Sequence, residues 1–135
     1  MDTIRKISLD LNWKCAYFHG EPIEGNVFTP TLVDSLSAWS WDAPTDPDFV
    51  AHLFHHFFLE PTDFCVSYTL RLESAPKRLR ITVNTEELGE FDGTQPLAID
   101  VTDAVRLEDN VIRFKVGCAE YAPFGAVYLE QIPCE

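Results

Sequence analysis

From Phe64 to Glu73 the chain alternates without a break: Phe64, Val66, Tyr68, Leu70 and Leu72 on one side, Cys65, Ser67, Thr69, Arg71 and Glu73 on the other. Successive side chains of a strand point to opposite faces, so this run predicts a strand with one face in a core and the other largely in water. Ser74-Ala75-Pro76 breaks it. Leu79, Ile81 and Val83 then alternate with Arg78, Arg80 and Thr82 in a second strand. Asn84-Thr85-Glu86-Glu87 supplies a turn, and Leu88-Gly89-Glu90-Phe91 begins the return arm of a hairpin.

The period of two persists beyond the hairpin. Leu97, Ile99 and Val101 follow the punctuation Asp92-Gly93-Thr94-Gln95-Pro96. A short helical turn is expected over residues 104–107, capped by the side-chain oxygen of Thr102 or Asp103 and closed by Asp109-Asn110. Ile112, Phe114 and Val116 alternate with Arg113 and Lys115, and residues 126–132 form a last strand with Val127 and Leu129 inward. Earlier, Trp13, Tyr17 and Phe18 suit an opening strand, and residues 52–59, aromatic on both faces, read as a strand buried on both sides. Residues 20–30 and 42–48 are loop-rich in Pro and Asp. Many short strands, frequent turns and almost no helical period predict an all-β protein, an antiparallel β-sandwich or jelly roll, in one domain spanning residues 1–135. Its core set is Tyr68, Leu70, Leu72, Ile81, Val83, Ile99, Val101, Ile112, Phe114 and Val127.

The order of these elements is also familiar. Phe54-His55-His56-Phe57-Phe58-Leu59-Glu60-Pro61 stands where one family carries aromatic-Arg-Arg-x-Phe-x-Leu-Pro, and Leu70-Arg71-Leu72-Glu73 matches its Leu-Arg-Phe-Glu strand. Residues 81–89, Ile-Thr-Val-Asn-Thr-Glu-Glu-Leu-Gly, echo the hairpin Val-x-Val-Asn-Gly-x-x-x-Gly. Residues 96–102 and 109–116 follow Pro-Phe-x-x-Asp-Val-Thr and Glu-Asn-x-Leu-x-Val-x-Val. The chain resembles the N-terminal sugar-binding domain, a galactose-binding-like jelly roll, of the β-galactosidase/β-glucuronidase family of glycoside hydrolases. The match is close over residues 53–132 and loose over residues 5–50. It implies a sandwich fold and carbohydrate as the ligand. It implies no catalysis, because that family's catalytic acids lie in a separate barrel domain. Three departures stand out: His55 and His56 replace the arginine pair, Thr85 replaces the hairpin glycine, and the loop before the last strand is cut to residues 117–125, with Glu120 its single acid.

Charge narrows the partners. With Lys plus Arg 10 against Asp plus Glu 22, the formal net charge is −12. That surface repels phosphate backbones and anionic bilayers, so neither nucleic acid nor a membrane is expected. Residues 1–11 carry Arg5 and Lys6 and no apolar run of the kind a secretory leader needs, and nothing approaches a membrane span of ~20 apolar residues. The expectation is therefore a cytoplasmic protein whose Cys15, Cys65, Cys118 and Cys134 are buried or indifferent thiols, with a disulfide as the alternative.

Sugar rings stack their C–H faces on flat aromatic surfaces while nearby polar groups bond the hydroxyls. Trp39 and Trp41, two apart, share a face if extended, and Asp42, Glu120 and Tyr121 would supply polar contacts. These five are the carbohydrate-binding candidates; core packing of both indoles is the alternative. His55 and His56 are adjacent and point to opposite faces of a strand, while His52 and His56 are about 13 Å apart, so no metal site is expected from them. Asp42, Asp46 and Asp48 are the oxygen donors a structural calcium would use, but their spacing matches no calcium loop, and no cofactor is expected. Ser35, Ser37 and Ser40 lack a nucleophile elbow, and Glu86-Glu87 sits on a turn with nothing to raise a carboxylate pKa. Two functions compete: a non-catalytic carbohydrate-binding module, or a protein-interaction adaptor or subunit on the same fold, homo-oligomeric or bound to a partner, with sugar binding lost.

Overall fold

The computed structural model describes residues 4–19, 31–38, 49–117 and 122–134. Ten strands run through them: Arg5–Ser8 (β1), Leu11–His19 (β2), Thr31–Ser35 (β3), Phe49–Leu59 (β4), Val66–Leu72 (β5), Leu79–Val83 (β6), Glu86–Phe91 (β7), Leu97–Asp100 (β8), Glu108–Gly117 (β9) and Val127–Pro133 (β10). They pair antiparallel in two sheets, one ordered β1-β10-β5-β8 and the other β3-β2-β4-β9-β6-β7. The inward faces of both sheets contribute to one apolar cluster, with Tyr68, Leu70, Leu72, Val127 and Leu129 from the first sheet and Trp13, Leu53, Ile81, Ile112 and Phe114 from the second. This is the antiparallel sandwich the alternation predicts.

Of the ten expected core residues, nine are buried; Ile99 is half-buried, because β8 is an edge strand that only β5 covers. Four local readings are corrected. The strand begins at Val66 rather than Phe64, whose ring is exposed beside the Thr62 turn, where the Thr62 hydroxyl donates to the Phe64 carbonyl. β4 buries one face only: Ala51, Leu53, His55 and Leu59 point inward, while His56 and Phe58 lie in solvent. The hairpin turn is the pair Asn84-Thr85, so Glu86 and Glu87 already belong to β7. The return arm carries a bulge opposite Ile81 and Thr82, where Gly89 takes a φ of 120° that a side chain would strain. The helical turn spans residues 101–105, where the Val101 carbonyl accepts from the Ala104 and Val105 amides. Its capping acceptor is Asp100, bonded by the Thr102 amide at 2.9 Å and hydroxyl at 2.6 Å, while the Thr102 oxygen is taken by the Tyr68 amide.

Two asparagines lock this region together. Asn84, at φ 55°, donates to the Ala104 carbonyl (2.8 Å) and the Asn110 side chain (2.9 Å), and accepts from the Val111 amide (3.0 Å). Asn110, 1% exposed, accepts from the Arg106 amide and donates to the Arg106 and Glu108 carbonyls. Asn110 thus ties the hairpin turn to the start of β9 instead of merely closing a turn. A buried amide satisfied on both ends stabilises; half-satisfied, it would cost.

The cysteine expectation is corrected in part. Cys65 and Cys134 are joined in a disulfide with Cα atoms 5.2 Å apart, the spacing such a bridge requires. Cys15 is buried, as expected.

Candidate functional site

All five carbohydrate-binding candidates, Trp39, Trp41, Asp42, Glu120 and Tyr121, lie outside the described residues, as do Asp46, Asp48 and Cys118. The segments that carry them join β4 and β9 at neighbouring positions. Phe49 opens β4, Gly117 ends β9, and Val50 pairs with Gly117.

A depression lies on that part of the outer face of the six-stranded sheet. It encloses about 330 Å³. Its lining follows from register. His52, Lys115 and Arg80 lie side by side across β4, β9 and β6, and Phe54, Arg113 and Thr82 form the adjacent row. Their strand neighbours Leu53, Phe114 and Ile81 point into the core, which sets these six on the outer face. Lys14 on β2 pairs beside Phe54, and Glu87 and Glu90 on β7 pair beside Thr82 and Arg80. The depression is therefore lined by cations of β9 and β6, with Glu87 and Glu90 at the β7 rim, while Asp109 on β9 and Asp34 on β3 lie farther along the same face.

Arg80 reaches Glu87 at 3.1 Å with both side chains mostly exposed, an ion pair worth little in water. Among the described residues no ion pair engages Arg113. The Phe54 ring is half-buried and meets the His56 ring edge-on at 6.3 Å. Burial, with the Arg113 guanidinium adding to it, holds the His52 imidazole below its usual range. Burial likewise lowers the Lys115 ammonium. The arrangement presents an apolar ring among hydrogen-bond donors, which suits a polar ligand with an apolar face. No group of three or more metal-ligating side chains comes together among the described residues.

The histidines separate as the strand period predicts: His56 faces out, while His55 faces in. His55 stacks on Trp13 at 5.2 Å and on Phe57 at 6.2 Å, and its Nδ1 donates to the Asn12 carbonyl at 3.2 Å. Burial pushes its pKa down, against that hydrogen bond, with His56 adding to the lowering. Both His52 and His55 are therefore lowered in the folded state relative to about 6.5 in an unfolded chain. Below that unfolded value the unfolded chain binds more protons, so stability is full above about pH 6.5 and falls as pH drops through the window down to the lowered folded values. Urea midpoints are expected to fall between pH 7.5 and 5.5, and the fall should flatten in a His52→Gln/His55→Gln variant. Equal midpoints at the two pH values would contradict the assignment.

No protein-family model matches the chain, and no curated protein matches it by sequence. Solved structures do match. A β-glucuronidase from an uncultured Clostridium aligns over 98% of this chain and 30% of its own, at 16% identity and a TM-score of 0.73. A β-D-glucuronidase from Dictyoglomus thermophilum aligns over 98% and 29%, at 13% identity and 0.74. A glycosyl hydrolase family 2 member from Bacteroides cellulosilyticus aligns over 94% and 20%, at 18% identity and 0.69. The fold is that of a glycoside hydrolase family 2 domain. The chain spans about 30% of the glucuronidase chains it matches, the share of a single domain, in agreement with the sequence motifs that resemble the family's N-terminal jelly roll.

Sequence reasoning missed the sheet-face depression, although its signal was present. The polar positions of β6 and β9 carry Arg80, Thr82, Arg113 and Lys115. Alternation alone assigns these to a solvated face. Only the order β4-β9-β6, which places a late strand between two earlier ones, brings them into one patch with His52 and Phe54.

Proposed function

We propose that this domain is a non-catalytic, carbohydrate-binding module, and that it holds its ligand on the outer face of the six-stranded sheet. One observation carries this reading: the depression sets the Phe54 ring among the side chains of Arg80, Thr82, Arg113 and Lys115, an apolar platform ringed by hydrogen-bonding groups. Sugars are recognised by that combination of stacking and directional polar contacts. The likeness to domains of β-glucuronidases supports a saccharide over other polar ligands. Trp39, Trp41, Asp42, Glu120 and Tyr121 belong to the same proposal, because their segments enter β4 and leave β9 at the end of the sheet where the depression lies.

A glycan array followed by calorimetry tests it. At least one saccharide class should bind, and Phe54→Ala should weaken that binding about fivefold or more, since stacking on a ring contributes about 1 kcal/mol or above. Chromogenic β-galactoside, β-glucuronide and β-mannoside should remain uncleaved; turnover that vanishes in Glu120→Gln would overturn the non-catalytic part. The adaptor reading has its own observation. Leu11 and Leu32, 57% and 60% exposed, lie on adjacent strands at the β3 edge of the sheet. An array without hits, together with a stable dimer or a co-purifying protein, would decide for the adaptor.

A further inference from the structure

We infer that one end of the sandwich, between the two sheets, is a second binding site, built for one neutral, hydroxyl-rich ring such as a monosaccharide. It stands apart from the sheet-face reading, whose residues it does not use. The starting point is a break in the core pattern of the four-stranded sheet. On its inward face Ile7, Leu129, Leu70 and Ile99 form an apolar row across β1, β10, β5 and β8. Two residues along, toward the start of β5, the row is Arg5, Gln131 and Tyr68. Beyond it the face is apolar again, with Pro133 beside Val66. A row that only had to fill space would carry aliphatic side chains throughout. Here a glutamine 7% exposed and a tyrosine 5% exposed stand opposite each other.

Their mutual bond leaves capacity over. The Gln131 amide nitrogen donates to the Tyr68 hydroxyl at 3.2 Å, and among the described residues neither side chain makes another hydrogen bond. The amide oxygen is then an unused acceptor and the phenol an unused donor, whereas buried polar groups are ordinarily met by protein, water or ligand. Both residues line a depression of about 160 Å³. Leu59, Pro61 and Ile7 also line it, together with the exposed Arg5, Glu60 and Phe58. Its volume is about half the lower end of the ~300–1,000 Å³ of sites for drug-sized ligands, so the occupant is one small ring. The polar lining mixes both roles: Arg5 and Tyr68 donate, Gln131 and Glu60 accept. Hydroxyls do both, and the opposite charges of Arg5 and Glu60 give neither an anion nor a cation the advantage. Phe58 and Pro61 add apolar surface for the C–H face of such a ring.

Titrations followed by amide NMR shifts test this, with glucose, galactose, N-acetylglucosamine, myo-inositol and glucuronate as probes. At least one neutral probe should bind at a single site and shift the amides of Arg5, Thr62, Tyr68 and Gln131, and glucuronate should bind no tighter than glucose. Tyr68→Phe and Gln131→Leu should each weaken binding severalfold, and the double variant about tenfold or more. The double variant is the decisive one. Replacing both partners of a buried hydrogen bond by apolar groups of similar shape leaves stability nearly unchanged, so a melting temperature at or above wild type with binding lost would show that the pair serves a ligand. Should the double variant fail to fold, Tyr68→Phe, which removes one oxygen, carries the same comparison. Arg78→Gln, in the turn before β6, should bind as wild type does. Binding unaltered in the Tyr68 and Gln131 variants, shifts confined to β4, β9 and β6, or saturation by none of the neutral probes would each end this inference. The sheet-face reading would stand in every one of those cases, because the glycan array and Phe54→Ala decide it separately.

Discussion

Trp13→Ala is expected to cost about 3–5 kcal/mol of stability, because it removes the largest fully buried side chain of the core. The indole is 0% exposed and sits between two rings, 4.8 Å from Phe114 at 27° and 5.2 Å from His55 at 23°. Its Nε1 donates to the Leu9 carbonyl, at the corner where the chain leaves one sheet for the other. Truncation therefore removes three things together: buried apolar area, the stacked pair, and the donor for a buried carbonyl. In a domain of this size the loss corresponds to a fall in melting temperature on the order of 10–15 °C. Trp13→Phe keeps most of the volume but not the donor, and should cost clearly less. Urea denaturation of both variants checks the ordering. A Trp13→Ala loss below about 1 kcal/mol would mean that the indole is not at the centre of the sandwich. The same residue supplies a reference for fluorescence. Trp13 should emit in the blue and resist iodide, so any red-shifted, quenchable component of the wild-type spectrum must come from Trp39 or Trp41.

How much of this was legible in the sequence depends on the range of the interaction that decides each feature. The strands β5, β6, β9 and β10 were legible because each buries one face, and a half-buried strand writes its period directly into the chain. Trp13 was readable only as a strand residue; nothing local says that Phe114, about a hundred residues later, will stack on it. β4 misled for a physical reason. Its outward residues include Phe54 and Phe58, so the alternation of polarity disappears although the alternation of direction does not. An aromatic run of this kind reads as doubly buried, whereas one face here carries the candidate site. The Asn84–Asn110 pair shows the same limit on a smaller scale. Both residues signal turns, but their mutual hydrogen bond, 26 residues apart in sequence, exists only because β6 and β9 are neighbours. The cationic face is likewise a property of strand order. Its residues were named as polar positions of separate strands, and only register made them a patch.

The Cys65–Cys134 bridge illustrates why cysteine spacing alone was insufficient, and it carries the second large expected effect. The two residues are 69 apart, with no motif linking them. Yet Cys65 directly precedes β5 and Cys134 directly follows β10, and those strands pair through Val66 and Pro133. The Cys134 amide continues the ladder by one bond to the Cys65 carbonyl at 2.9 Å. Strand pairing thus brings the two side chains together, and the bridge staples the open end of the four-stranded sheet. On the chain-entropy account, closing a loop of that length restricts the unfolded ensemble by about 4 kcal/mol. Cys65→Ser, Cys134→Ser and reduction of the wild type should each lower stability by about that amount, and the double variant should lose no more than either single one. Cys15→Ser should leave the cross-link intact. Both bridged residues are exposed, so reductant can reach them without unfolding the domain. Thermal melts with and without dithiothreitol, paired with mass spectrometry of the linked peptides, give the measurement. An unchanged melting temperature on complete reduction would show that the ladder alone holds this edge. Structural disulfides persist in oxidising compartments, so the redox state of this pair in the native cell also tests the expectation of a cytoplasmic protein. If the pair is reduced there, the domain works without that stabilisation, and the β5–β10 ladder, with its buried face and contacts such as Gln131 donating to the Tyr68 hydroxyl at 3.2 Å, holds the first sheet together.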